Sequence, residues 1–91
     1  MTGPHLLILY DYVPDILERR GPHRDAHLER LRAAKEAGLV VSAGALGDPP
    51  TGAAIVVAGD VAAAEDLVAG DPYVMSGLVS GWRIVPWNVV V

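Results

Sequence analysis

LVVSAGALGDPPTGAAIVVAG, residues 39–59, sets two apolar runs on either side of a cluster of turn formers. LVVSAGAL (39–46) and AAIVVAG (53–59) both have the short, apolar, partly β-branched character of strands. Between them GDPPTG (47–52) interrupts any regular structure. So short a connection joins antiparallel neighbours, because a parallel crossover needs about a dozen residues or more. The middle of the chain is therefore a hairpin.

Outward from that hairpin, a helix and then a strand lie on either side, with no internal sequence repeat. Before it, a helix is expected from about Arg24 or Asp25 to Ala37. Leu28, Leu31 and Ala34 form its apolar stripe, Asp25 suits its positive N-terminal end, and Gly38 stops it. After it, Asp60 caps a helix over VAAAEDLVA (61–69) that Gly70 closes. Beyond the helices lie two more strands: HLLILYDY (5–12), bounded by Pro4 and Pro14, and a last run from Leu78 or Gly81 to Val90. Residues 13–23 read as a loop with one helical turn at most, and DPYVMSG (71–77) as a cap and turn. The order is β-α-β-β-α-β, an α+β, ferredoxin-like split βαβ sandwich, expected to form one domain over residues 1–91.

The last strand adds a condition. Val85, Trp87, Val89 and Val91 alternate with Trp82, Ile84 and Val90, so both of its faces are apolar, and Pro86 belongs at an edge or bulge. Such an edge invites aggregation unless something covers it, and a second subunit is the expected cover. A chain of this size also buries only a modest core by itself. A homodimer is the expectation.

Composition narrows the function classes. The hydrophobic share is 52% with no Phe, so Val, Ala and Leu carry the packing. Net charge is −4 and the pI about 5.1, which argues against a nucleic-acid partner. Yet six of seven cations, Arg19, Arg20, Arg24, Arg30, Arg32 and Lys35, fall in one stretch. That locally basic segment suits a small anionic ligand better than a polyanion; a solvated helix face, partly neutralised by Asp25, Glu29 and Glu36, is the other reading. The absence of cysteine excludes disulfides, a thiolate nucleophile and cysteine-based zinc sites. With no secretory signal pattern and no apolar run of spanning length, the expected location is the cytoplasm, with no membrane partner.

Among the side chains that carry chemistry, Arg20, Arg24, His27 and Leu31 recur at spacings of four, three and four. On a helix this puts Arg24 and His27 on one face beside the leucine stripe, with Arg20 reaching the same place from the loop. A histidine at that border is a candidate general base, since neutral imidazole can take a proton and cationic neighbours favour the neutral form. On position alone it reads more readily as a boundary histidine that packs and makes one hydrogen bond. Asp71 follows the second helix. In a split βαβ fold that point lies near the start of the first helix, so its carboxylate can hold one ring nitrogen of His27. Asp-Pro is also a good helix cap, and the two roles are compatible.

Lesser candidates follow. Ser42 can point from the second strand into a pocket. Tyr10 and Tyr73 read as packing residues, each with a hydroxyl free for one polar contact, and His5 as structural. His23 and His27 are four apart, but no third ligand is evident, so no metal is expected. No nucleotide motif is present, so no organic cofactor is expected.

The run RGPHRDAHLERLRAAKEAGLVVSAGAL, followed later by DPYVMSGLV and a closing VPW, resembles the YciI-like (YCII-related) family over essentially the whole chain. The most specific pieces are R-x3-R-x2-H-L-x2-L, carried by Arg20, Arg24, His27, Leu28 and Leu31, and D-P-Y, carried by Asp71, Pro72 and Tyr73. The resemblance implies a dimeric ferredoxin-like α/β barrel and a His–Asp pair, which maps onto His27 and Asp71. Two positions depart from the family pattern: Asp25, where Pro is common, which bears on the helix start, and Ala45, where Pro often follows the glycine, which bears on the pocket rim. By analogy with the wider dimeric α/β-barrel superfamily, the resemblance implies a lyase or isomerase. It would use His27 and Asp71 to move a proton on a small, anionic cyclic or aromatic metabolite, with Arg24, Arg20, Ser42 and Tyr73 binding it. The alternative is a non-catalytic dimer that binds a small ligand or serves as an accessory module.

Overall fold

The computed structural model describes residues 1–91. Strand β1 (Gly3–Tyr12) leads through a one-turn helix α1 (Ile16–Arg19) into helix α2 (Gly21–Glu36). The hairpin is β2 (Val40–Leu46) and β3 (Gly52–Val57). Helix α3 (Val61–Ala69), a single turn α4 (Pro72–Met75) and strand β4 (Val79–Val89) complete the chain. The four strands form one antiparallel sheet in the order β2-β3-β1-β4, the ferredoxin-like arrangement.

α2 begins earlier than the sequence suggests. Pro22 sits in its first turn, where a missing backbone N–H costs nothing, so Gly21–Pro22 opens the helix instead of breaking it. Arg20 is its N-cap residue in helical conformation, directly after α1, and not part of a loop. Asp25 therefore lies in the second turn and does not set the helix start. At the far end Gly38 adopts φ +84°, the left-handed turn that ends a helix readily only at glycine. α3 runs as expected: the Asp60 carboxylate accepts from the Ala63 N–H at 2.9 Å, and Gly70 follows the last turn.

Strand register decides which side chains face the helices. Ile8 and Tyr10 of β1, Ala53, Ile55 and Val57 of β3, and Val40 of β2 share a core with Ala64, Leu67 and Val68 of α3. Leu31 and Ala34 of α2 pack against that core. Residues of opposite parity, Leu7, Leu9, Ala54, Val56, Val85 and Trp87, are paired across the sheet on its other face. No element of the chain covers that face. Only 17 of 91 residues are buried, so the chain encloses one thin layer of core, between sheet and helices. No helix is long and apolar enough to cross a membrane.

One irregularity redirects a side chain. Val40 pairs with Val57 but Ser42 pairs with Val56, so β2 carries an extra residue at Val41. Past that bulge Ala43 and Ala45 turn toward the helices, and Ser42 turns to the open face. Uninterrupted alternation from Val40 would have pointed Ser42 inward.

Candidate active site

The site forms where the N-terminal half of α2 meets the segment after α3. His27 is the one fully buried residue of α2, although it lies on a helix crowded with cations. Its Nδ1 donates to Asp71 Oδ1 at 2.7 Å. A carboxylate only accepts, so Nδ1 carries the hydrogen of this contact and Nε2 is the ring nitrogen left for another partner. Nε2 has no protein partner, yet no buried polar side-chain atom is left unsatisfied. That nitrogen is therefore open to the space beside it.

Asp71 holds more than the imidazole. Its Oδ1 also accepts from the Tyr73 backbone N–H at 2.9 Å, and its Oδ2 accepts from the Tyr10 hydroxyl at 2.8 Å. Cap and histidine partner coexist on one side chain, itself 2% exposed. Three donors converge on this carboxylate: the Tyr10 hydroxyl, the His27 Nδ1–H and the Tyr73 backbone N–H. The Asp71–Pro72 pair starts α4, and α4 sets Tyr73 against His27. The two rings stack at a centroid distance of 3.7 Å and 2° from parallel, while Tyr12 meets Tyr73 edge-on at 5.9 Å. With its ring packed and one nitrogen bonded, His27 has little freedom to turn.

Beside it lies a cavity of about 220 Å³, lined among others by Tyr12, Arg20, Arg24, His27, Tyr73 and Ala45. Leu28 and Leu31 of α2 and Ala43, Ala53 and Ile55 of the sheet complete its apolar wall. Arg20 and Arg24 stand at its polar end, and neither is ion-paired: the ion pairs of the chain are Arg19–Asp15 and His27–Asp71. Arg30 is committed elsewhere. Its guanidinium donates to the Leu67 and Asp66 carbonyls at the end of α3, over Gly70, where a side chain would collide with it. The cationic stretch is thus two free guanidiniums at a cavity, with the others paired, capping or solvated.

The tyrosines record this environment. Burial pushes the Tyr12 hydroxyl up to about 12, helped by Tyr73 and Asp71 and opposed by Arg20 and Arg24. Tyr73 is raised by burial, against the pull of the same two arginines. Tyr10 is raised furthest, by burial first and then by the Asp71 charge it faces. All three remain neutral donors at ordinary pH.

Of the residues singled out in the sequence, His27, Asp71, Arg20, Arg24 and Tyr73 come together here. Ser42 does not: the Val41 bulge turns it onto the open face, away from the His27 cavity. His5 makes only a local contact, its Nδ1 to the Gly3 carbonyl at 3.0 Å. No three His, Asp or Glu side chains gather as a metal site would need. Ala45, where the family often has Pro, is part of the cavity wall. Tyr12, whose place on the helix-facing side of β1 is its only signal in the sequence, joins the cavity wall, and Tyr10 is the second side-chain partner of Asp71.

A buried His–Asp pair on this fold, reached through R-x3-R-x2-H-L-x2-L and D-P-Y, agrees with the match of residues 5–88 to the YCII-related domain. The chain belongs to the YCII-related family. Among solved structures, it is similar to the 5-chloro-2-hydroxyhydroquinone dehydrochlorinase of Burkholderia phenoliruptrix, seen in complex with 2,5-dihydroxybenzoquinone. That likeness has a TM-score of 0.77 and 22% identity over 92% of this chain and 93% of the other. A protein of unknown function from Nitrosomonas europaea is similar at a TM-score of 0.59 and 18% identity, over 100% of this chain and 92% of that one. At these identities the likeness is one of fold. No curated protein matches the chain.

Proposed function

We propose that this YCII-related chain is a one-domain, homodimeric enzyme of the lyase or isomerase kind, using His27 as general base on a small anionic cyclic or aromatic metabolite. The carrying observation is the placement of the imidazole: Nδ1 tied to a buried carboxylate, Nε2 without a protein partner beside a cavity. In that state His27 takes a proton from substrate at Nε2, and the imidazolium formed is stabilised by Asp71 across the 2.7 Å contact. The proton returns from Nε2 to the product or to a leaving group. Arg20 and Arg24 hold the anionic group at the polar end, and the apolar wall receives a ring. Tyr73 keeps the imidazole in plane.

The fold neighbour supports the substrate class, since a dehydrochlorinase acts on a small hydroxylated ring and removes a proton as chloride departs. The dimer is supported by the apolar sheet face on Leu7, Leu9, Val85 and Trp87 that the chain leaves partly or wholly exposed. A cytoplasmic location is in keeping with a chain that has no cysteine to oxidise.

The test uses the neighbour's chemistry as a probe. 2,5-Dihydroxybenzoquinone is titrated into the wild-type protein while the His27 imidazole nitrogens are followed by NMR, and chloride release from 5-chloro-2-hydroxyhydroquinone and related halogenated phenols is measured. Binding that perturbs Nε2, with turnover lost in His27→Ala and in Asp71→Asn, is the expected result. Turnover retained in both variants would reject the dyad. Binding without turnover of any such ring would favour the non-catalytic module.

A further inference from the structure

The sheet below the site supplies a group that never reaches the cavity. Tyr10 lies near the C-terminal end of β1, is 2% exposed, and is absent from the cavity wall, yet its hydroxyl donates to Asp71 Oδ2 at 2.8 Å. Packing alone does not call for that hydroxyl, since phenylalanine would fill the same space. Removing it would leave a carboxylate oxygen buried without a donor, an arrangement folded proteins avoid. Asp71 Oδ1 is already shared between His27 and the Tyr73 N–H, so Oδ2 is the oxygen whose partner sets how much negative charge Oδ1 presents to the imidazole.

We propose that Tyr10 is a positioning residue for the site: by holding Asp71 Oδ2 it fixes the carboxylate plane and takes a share of its charge, so that His27 rests as neutral imidazole with Nε2 bare. An unshared carboxylate against the same imidazole would favour imidazolium, which cannot accept a proton. The balance involves the other groups around His27: Asp71 and Tyr73 in contact with it, and Tyr12, Arg20 and Arg24 around the cavity. Of these, Arg20 and Arg24 oppose imidazolium and Asp71 favours it. Tyr10 moderates the one favouring group. Tyr10 keeps its own proton throughout, because burial beside Asp71 raises its hydroxyl far above the ordinary tyrosine range.

The inference rests on the reading of His27 as a base, and one experiment separates the two. In protein with 15N-labelled histidine, both ring nitrogens of His27 are followed against pH in wild type, in Tyr10→Phe, and with 3-fluorotyrosine installed at position 10. Wild type should show a protonated Nδ1 and a bare Nε2 near neutral pH. Tyr10→Phe should keep that tautomer, move the Nδ1 proton downfield, and raise the pH of proton uptake at Nε2 by roughly half to one unit. Fluorotyrosine, of nearly the same shape but a stronger donor, should move uptake the opposite way, and it serves alone if Tyr10→Phe fails to fold. An unmoved Nε2 titration in the variants, with only the melting temperature changed, makes Tyr10 purely structural. A wild-type Nε2 that already carries the proton defeats the base itself.

Discussion

The two faces of the sheet are built from the same strands by the same alternation, and they differ in what their polar atoms do. On the helix-covered face, Tyr10, His27 and Asp71 are buried and bonded to one another, beside a cavity with two unpaired guanidiniums. On the other face, Leu7, Leu9, Val85 and Trp87 form an apolar surface, and the polar groups among them, such as His5 and Arg83, make no network across it. Buried polar groups require partners and so fix geometry, whereas an apolar surface requires only to be covered. On the proposed reading, one face serves chemistry and the other association.

That division can be broken from either side. His27→Ala removes the proton acceptor, and turnover should fall ~10²–10⁴-fold with the dimer intact; steady-state rates and light scattering on the same sample check both halves. Leu7→Asp puts a charge between Val56 and Val85 at the centre of the open face. It should leave a particle of one 9.6 kDa chain at micromolar concentration in sedimentation, with the His27 nitrogen resonances little changed. A variant that stays dimeric would move the interface elsewhere.

Smaller changes sharpen the picture. Arg24→Gln should weaken binding of an anionic ring about tenfold by calorimetry, the loss of one charge-assisted contact, while an uncharged analogue binds unchanged. The smallest effect is one of pH. All three tyrosines have raised folded-state values, so the unfolded chain releases tyrosyl protons from 10.0 upward while the folded chain does not. Their contribution to stability is complete below pH 10.0 and is lost as pH climbs through about 12, the value for Tyr12. Phenolate absorbance should therefore stay low in the folded protein at about pH 11. Early absorbance would show that the aromatic cluster is not closed.

The helix-covered face was legible in the sequence to the extent that its signals are local. The hairpin around GDPPTG, the Asp60 cap and the Asp71–Pro72 cap are short-range features, and topology brought Asp71 to His27. Features that depend on pairing were not legible. The Val41 bulge has no marker within β2, and it alone turns Ser42 outward and Ala43 and Ala45 inward. The start of α2 was misread because Gly21–Pro22 is a breaker inside a helix and a good opening at its first turn. Tyr10 was identified as a packing residue with a spare hydroxyl. Its acceptor lies sixty-one positions away, and no periodicity announces such a pair.

Those distances along the chain have a consequence for how the protein comes to be active. His27 and Asp71 are 44 residues apart and Tyr10 and Asp71 are 61 apart. Contacts of such separation close large loops and form once the intervening strands and helices are in place. No segment shorter than residues 10–73 contains Tyr10, Asp71 and the Tyr73 N–H that orient the imidazole. Appearance of the native His27 nitrogen signals during refolding would thus report completion of the β1–β3 pairing and of the α4 turn, and a nascent chain on the ribosome would have no site until α4 had emerged.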